Sequence, residues 1–244
     1  MKLTRPFFSK PGASLVIMIL VLGYGKAYGQ DPIKDFESRL AVGYNTDITK
    51  KWDFAVDHEF RIDENSTRLR RSLTTFGLDY KVERWLRFGA NYRLSLNRKG
   101  DGTYGLRNRF MGDMVVRGYQ RQFIFSYRFR YQYENRRANY NEVQRSSAYT
   151  DIRNTLKVNY RINRMYRPYV ALDSRHALTA PSNNFQPGLD RYRFVVGLDT
   201  QLSRTQVLGV YFMYNEEVNV VAPVQRFVLG AEFNFGGTRP VLGI

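Results

Sequence analysis

The chain has 244 residues, enough for one large domain or two small ones, and it contains no cysteine, which excludes disulfides, thiolate metal sites and a cysteine nucleophile. Its 38 Lys+Arg against 22 Asp+Glu give a formal charge of +16, a surplus that suits nucleic acid, an anionic membrane surface or an acidic ligand. Phe and Tyr, at 17 and 18, favour strands over helices.

Residues 1–29 read as a secretory signal peptide. Lys2, Arg5 and Lys10 form a basic start, Ala13 to Gly25 is an unbroken apolar or small-residue run, and Ala27 and Gly29 set small residues at −3 and −1 of a cleavage site before Gln30. The run is shorter than the ~20 apolar residues of a spanning helix. The domain division is therefore 1–29 as signal peptide and 30–244 as a single exported domain.

Along the rest of the chain, strict alternation recurs over windows of about ten residues. Trp52, Phe54, Val56, His58, Phe60 and Ile62 alternate with Asp53, Ala55, Asp57, Glu59 and Arg61. Leu86, Phe88, Ala90, Tyr92, Leu94 and Leu96 alternate with Arg87, Gly89, Asn91, Arg93 and Ser95. From Phe123 to Glu134 one face is aromatic throughout, and the other carries Ser126, Arg128, Arg130, Gln132 and Glu134. Tyr192, Phe194, Val196 and Leu198 oppose Arg191, Arg193 and Asp199, and Phe227 to Phe235 oppose Arg226, Glu232 and Asn234. Weaker windows fall near 36–44, 69–82, 106–117, 148–161, 166–176 and 206–215. Period-2 alternation means strands with one apolar and one polar face.

Short connections near 45–51, 83–85, 118–122, 162–165 and 202–205 alternate with longer polar ones near 63–68, 97–105, 135–147, 177–189 and 216–224. That is how outer-membrane barrels join strands, short turns periplasmic and long loops outside. Trp52, Trp85 and Tyr166 restart strands after short turns, and Phe235 ends the last one; these four are the expected interfacial girdle.

Alternation alone does not say which face is outside. Windows of this length suit tilted strands in a bilayer, and a barrel of so many strands is too wide to fill with apolar side chains. An Arg on the lipid face at the midplane costs roughly 2–4 kcal/mol, so Arg128 and Arg130 fix the orientation of their strand. The fold expected is an all-β, antiparallel up-and-down transmembrane barrel. Eleven windows are visible; because single-chain bacterial barrels normally have an even number, twelve strands are expected, with ten as the alternative.

The expected lumen residues are Asp57, Glu59, Arg61, Arg93, Arg128, Arg130, Arg191, Arg193, Asp199 and Glu232, with Asp57 and Glu59 facing Arg across the lumen. Glu216 and Glu217 read as a solvated strand end, and His58 stands unexplained on the lipid face.

The opening hairpin Asp35 to Asp63, the segment LRFGANYRLS from Leu86 and the closing strand FVLGAEFNFG from Phe227 resemble an uncharacterised family of outer-membrane β-barrels common in the Bacteroidota. The resemblance covers about residues 35–236. It implies location and fold and supplies no catalytic residues.

Chemistry is sparse. His58 and His176 are the two imidazoles. Asp173, Ser174 and His176 are too close in sequence for a triad, because strand neighbours alternate faces. No metal or cofactor pattern appears. Aromatics and arginines occupy opposite faces, which with export excludes a nucleic-acid groove. The function expected is a structural, binding or channel-forming barrel with an Arg-rich lumen and no enzymatic role; a barrel enzyme acting on envelope lipids is the alternative. Expected partners are outer-membrane lipids, the barrel-assembly machinery and lipopolysaccharide, the last through Arg98, Lys99, Arg136, Arg137 and Arg145.

Overall fold

The computed structural model describes residues 32–136, 147–179, 187–219 and 223–236. The segment expected to be a signal peptide, and loop residues Arg137 and Arg145, lie outside them. The described strands are β1 (Ile33–Asp47), β2 (Trp52–Asp63), β3 (Arg68–Lys81), β4 (Leu86–Arg98), β5 (Tyr104–Gln120), β6 (Phe123–Arg136), β7 (Ser147–Tyr160), β8 (Tyr166–Thr179), β9 (Gly188–Gln201), β10 (Gln206–Glu217) and β11 (Val224–Gly236). They pair in chain order into one closed barrel.

Every consecutive pair is antiparallel. The closing pair is not: β1 and β11 run in parallel from Ile33 opposite Val224 to Asn45 opposite Gly236. The even count expected from the sequence is therefore corrected to eleven. Antiparallel closure demands an even number, and a parallel seam removes that demand. The seam also puts the two ends of the barrel on opposite rims. β1 starts at the rim holding 64–67 and 99–103 (the loop rim). β11 ends at the rim holding 48–51, 82–85, 121–122, 161–165 and 202–205 (the turn rim).

The expected contrast in connection length is partial, because 64–67 and 99–103 are as tight as the turns opposite. Glu64, Asn65 and Ser66 achieve this by taking three consecutive left-handed conformations, with φ of 51°, 57° and 60°. Tertiary bonds hold that unfavourable run. The Asn65 amide donates to Asp35 Oδ1 (3.1 Å), and the Ser66 amide donates to the Phe36 carbonyl (3.1 Å). Here β1 has no β2 partner, since their pairing begins only at Ser38 opposite Ile62. The turn thus covers an otherwise bare strand edge.

The burial pattern is inside out relative to a protein in water. Phe110 is 55% exposed and Leu40 53% on the outer surface, whereas Asp199 and Glu37 are 1% exposed inside. So large an apolar exterior is unfavourable in water at about 25 cal/mol per Å² and matches hydrocarbon. Closure suits the same solvent, because it leaves no unpaired strand edge.

The interior is not uniformly ionic. Ala171, Val195, Met213 and Val228 form an inward-facing apolar row across β8–β11, flanked by Tyr169 and Tyr211. Leu73, Met111 and Val207 also point inward and are buried. These side chains fill volume that charged residues alone would leave wet.

A charged lumen as the candidate functional site

Inward positions on neighbouring strands face the same lumen and stand within reach of one another, so acids and bases placed there pair laterally. The longest network follows the loop rim across the seam. Arg191 donates to Glu217 (2.5 Å) and Arg226 to the same carboxylate (3.1 Å). Arg226 lies 4.0 Å from Glu37, which accepts from Arg39 (2.5 Å), and Arg39 lies 3.9 Å from Glu59. Arg61 binds Glu59 through both Nε (2.9 Å) and Nη2 (3.0 Å). Residues of β9, β10, β11, β1 and β2 are thereby tied together, bridging the parallel pair.

Other pairs cross the remaining wall. Arg130 donates from Nε and Nη2 to both oxygens of Asp113, each at 2.5 Å. Arg109 pairs with Glu134. Arg153 donates to Asp173 (2.5 Å), which also accepts from Thr155 (2.7 Å). Arg175 holds Asp190 through two bonds of 2.8 and 2.6 Å, and the Tyr149 hydroxyl donates to the same carboxylate (2.9 Å). Bidentate, charge-assisted bonds of this kind fix side-chain geometry as well as adding energy.

Within this scaffold lies a cavity of about 160 Å³, room for several waters at about 30 Å³ each. Asp57, Glu59, Arg61, Arg93, Arg128, Arg130, Arg193 and Glu232 all line it. Arg191 and Asp199 also point inward but stand away from the cavity: Arg191 on Glu217, Asp199 opposite Arg167. The lining carries twice as many basic as acidic side chains. Three of the lining arginines, Arg93, Arg117 and Arg128, have no carboxylate at ion-pair distance among the described residues. Arg93 donates from Nε to Thr75 (2.8 Å), and Arg128 from Nη2 to Thr155 (3.3 Å), its Nε having no partner.

Several expected relationships are corrected. Glu59 bonds Arg61 on its own strand rather than an Arg across the lumen, because i and i+2 share a face. Glu216 and Glu217 are not solvated. Glu217 joins the inner network, while Glu216 turns outward and is sealed under the hydroxyls of Tyr192 and Tyr214 and the amide of Gln225. Asp173 is locked inside by Arg153, whereas Ser174 and His176 alternate to the outer face, opposite Tyr192 and Leu189. Arg98 sits 4.0 Å from Glu64 at the loop rim.

The four girdle candidates stand at the turn rim, all exposed: Trp52, Trp85, Tyr166 and Phe235. Trp52 leans on Tyr80 (4.8 Å between ring centroids) and Phe235 on Tyr44 (5.3 Å). Sequence reasoning missed Arg39, Asp113, Arg153 and Lys157, all in windows where the inner face also holds apolar or small residues. Lys157 is the least conventional: its ammonium has no hydrogen-bond partner among the described residues and lies 3.5 Å from the centroid of the Tyr169 ring.

Residues 40–220 match a family described as protein of unknown function DUF2490. The chain belongs to the DUF2490 family. No curated protein matches this DUF2490 chain. Among solved structures it is similar to the β domain of the Bordetella autotransporter BrkA. The identity is 10%, the TM-score 0.47, and the match covers 73% of this chain and 81% of that one.

Proposed function

We propose that this DUF2490 protein is an integral barrel of the bacterial outer membrane, exported by cleavage after residue 29, whose narrow basic lumen admits small inorganic anions such as chloride or phosphate. The setting suggested by its sequence resemblance is the Bacteroidota envelope. One observation carries the functional reading: a lumenal cavity with a twofold excess of basic groups, including Arg93 and Arg128 with no carboxylate at ion-pair distance among the described residues. Such groups attract anions into a low-dielectric confine and repel cations. The small cavity predicts low conductance, far below that of an open porin.

The test is a planar-bilayer recording of the refolded full chain in a tenfold KCl gradient. A reversal potential of anion-selective sign supports the reading, and Arg93→Glu with Arg128→Glu should move it toward zero. Closed bilayers from protein that retains its heat-shifted band on SDS gels would favour a second reading. The ion-pair network around the loop rim would then act as a permanent plug, and the barrel would serve as an envelope structural element.

A further inference from the structure

On the outer surface, the side that carries Val56, Phe60, Phe76 and Leu78, three polar residues stand together. His58 on β2 lies directly opposite Thr74 on β3, and Ser72, the next outward residue of β3, lies opposite Phe60. His58 Nδ1 is 2.9 Å from Thr74 Oγ1, and Nε2 is 3.3 Å from Ser72 Oγ. The Phe60 ring meets the imidazole edge-on at 4.6 Å between centroids and fixes its plane. With the proton on Nδ1 donated to Thr74, Nε2 is left to accept the Ser72 hydroxyl. That is the order of a hydrolytic centre: nucleophile, base, orienting group. Polar groups facing hydrocarbon are costly, and mutual hydrogen bonding offsets that cost without explaining why apolar residues do not stand there instead.

A second observation adjoins the first. Ala90 and Gly112, directly paired, form the floor of an apolar groove on the same outer face, walled by Phe76, Tyr92, Phe110 and Tyr131. Phe76 is the next outward residue after Thr74 on β3, so the groove and the polar cluster share a wall. The cluster lies on the loop-rim side of the groove. A membrane lipid of the leaflet at that rim, its head group toward the rim and its chain toward the midplane, would carry its ester past Ser72 and its hydrocarbon over Ala90 and Gly112.

We propose that His58, Ser72 and Thr74 form a lipid-facing site that hydrolyses acyl esters of membrane lipids, with the acyl chain held in the Ala90–Gly112 groove. It goes beyond the lumenal function and rests on the membrane placement alone. Ser72 Oγ adds to the ester carbonyl carbon as its proton passes to His58 Nε2. The bond from that carbon to the alcohol oxygen then breaks, and the departing oxygen takes the proton from Nε2, leaving acyl-Ser72. Water reaching the cluster from the loop rim gives a proton to Nε2 and its oxygen to the acyl carbon. A free fatty acid departs, and the proton returns to Ser72. Thr74 holds the imidazole in the productive tautomer and is a positioning residue.

The test uses the full chain refolded into mixed phospholipid–detergent micelles, with the heat-dependent shift on SDS gels as the folding control for every variant. Free fatty acid release and covalent labelling by a fluorophosphonate probe are read together. The expected result is labelling mapped to Ser72, with both signals lost in Ser72→Ala and fatty acid release lowered at least about 10³-fold in His58→Gln. Thr74→Val should reduce turnover and shift its pH profile while labelling at Ser72 persists. Gly112→Leu, by filling the groove, should discriminate against long-chain esters and spare short-chain ones. Folded protein that neither labels nor releases fatty acid, or releases it equally well as Ser72→Ala, overturns the proposal while leaving the barrel intact. Protein with no heat shift at all defeats the membrane placement and this proposal with it.

Discussion

The Tyr211 ring lies flat over Gly230, its cross-strand partner, and occupies the space where a side chain at Gly230 would stand. Tyr169 covers Gly197 in the same way two strands earlier. Both rings border the inward apolar row, so the glycines let two bulky side chains lie down against the wall instead of projecting into the lumen. Gly230→Ala should therefore overpack the wall and cost about 1–3 kcal/mol. Adding Tyr211→Ala should recover part of that loss, giving a double variant more stable than the sum of the two. Urea unfolding in micelles, followed by fluorescence of Trp52 and Trp85, measures both; full stability in Gly230→Ala would refute the account.

The network across the parallel seam makes a second demand. Glu37 receives Arg39 at 2.5 Å, with Arg70 at 3.7 Å and Arg226 at 4.0 Å, and it is buried. Parallel pairing is slightly weaker per residue than antiparallel, so these ion pairs brace the joint that closes the barrel. Glu37→Gln leaves three guanidinium groups facing one another. Breaking a buried pair in this way costs about 3–5 kcal/mol. The variant should lose its compact SDS-gel band at a clearly lower temperature. Lys81→Met, which breaks partly exposed pairs with Asp47 and Asp53 at the turn rim, should shift it little, in keeping with about 0–1 kcal/mol for such pairs.

Adjacent residues on β2 test the two faces against each other. Val56 points outward and Ala55 lines the lumenal cavity beside Asp57. Val56→Arg sets a guanidinium in the apolar belt, at a cost of roughly 2–4 kcal/mol near the midplane. Ala55→Arg enters a chamber that already holds Asp57 and Glu232, so it should cost less and instead change ion selectivity. Equal destabilisation by the two would mean that the outer belt does not face hydrocarbon.

Legibility in the sequence followed the purity of each strand's alternation. β2, β4 and β6 stood out because nearly every inward residue is polar, and β9 and β11 stood out, despite inward Val195 and Val228, because Tyr192 to Leu198 and Phe227 to Phe235 make their outward faces unbroken apolar runs. β3, β5, β8 and β10 were weak because Leu73, Met111, Ala171 and Met213 point inward and dilute the signal. The apolar inner row was accordingly invisible, since each strand contributes one member and only register assembles them. His58 was anomalous for the same reason: its partners Thr74 and Ser72 lie on the next strand, sixteen and fourteen residues away. The strand count failed on a rule rather than on a pattern. Eleven windows were present, and an even number was imposed on them.

That odd count yields the sharpest topological prediction. In an even-stranded barrel, the first strand starts and the last strand ends at the same rim. Here Ile33 opens β1 opposite Val224, and Asn45 meets Gly236, so the parallel register places the start of β1 and the end of β11 on opposite rims. On the proposed outer-membrane placement, which sets the turn rim in the periplasm, an epitope inserted directly before Ile33 should be reached by antibody and protease on intact cells. One placed directly after Gly236 should be reached only once the outer membrane is permeabilised. If both tags respond from the same side, β1 and β11 cannot run in parallel along their length. The barrel would then have to close through ten strands or recruit a twelfth, and Glu37 and Arg226, 4.0 Å apart across the present seam, would no longer be held together by it.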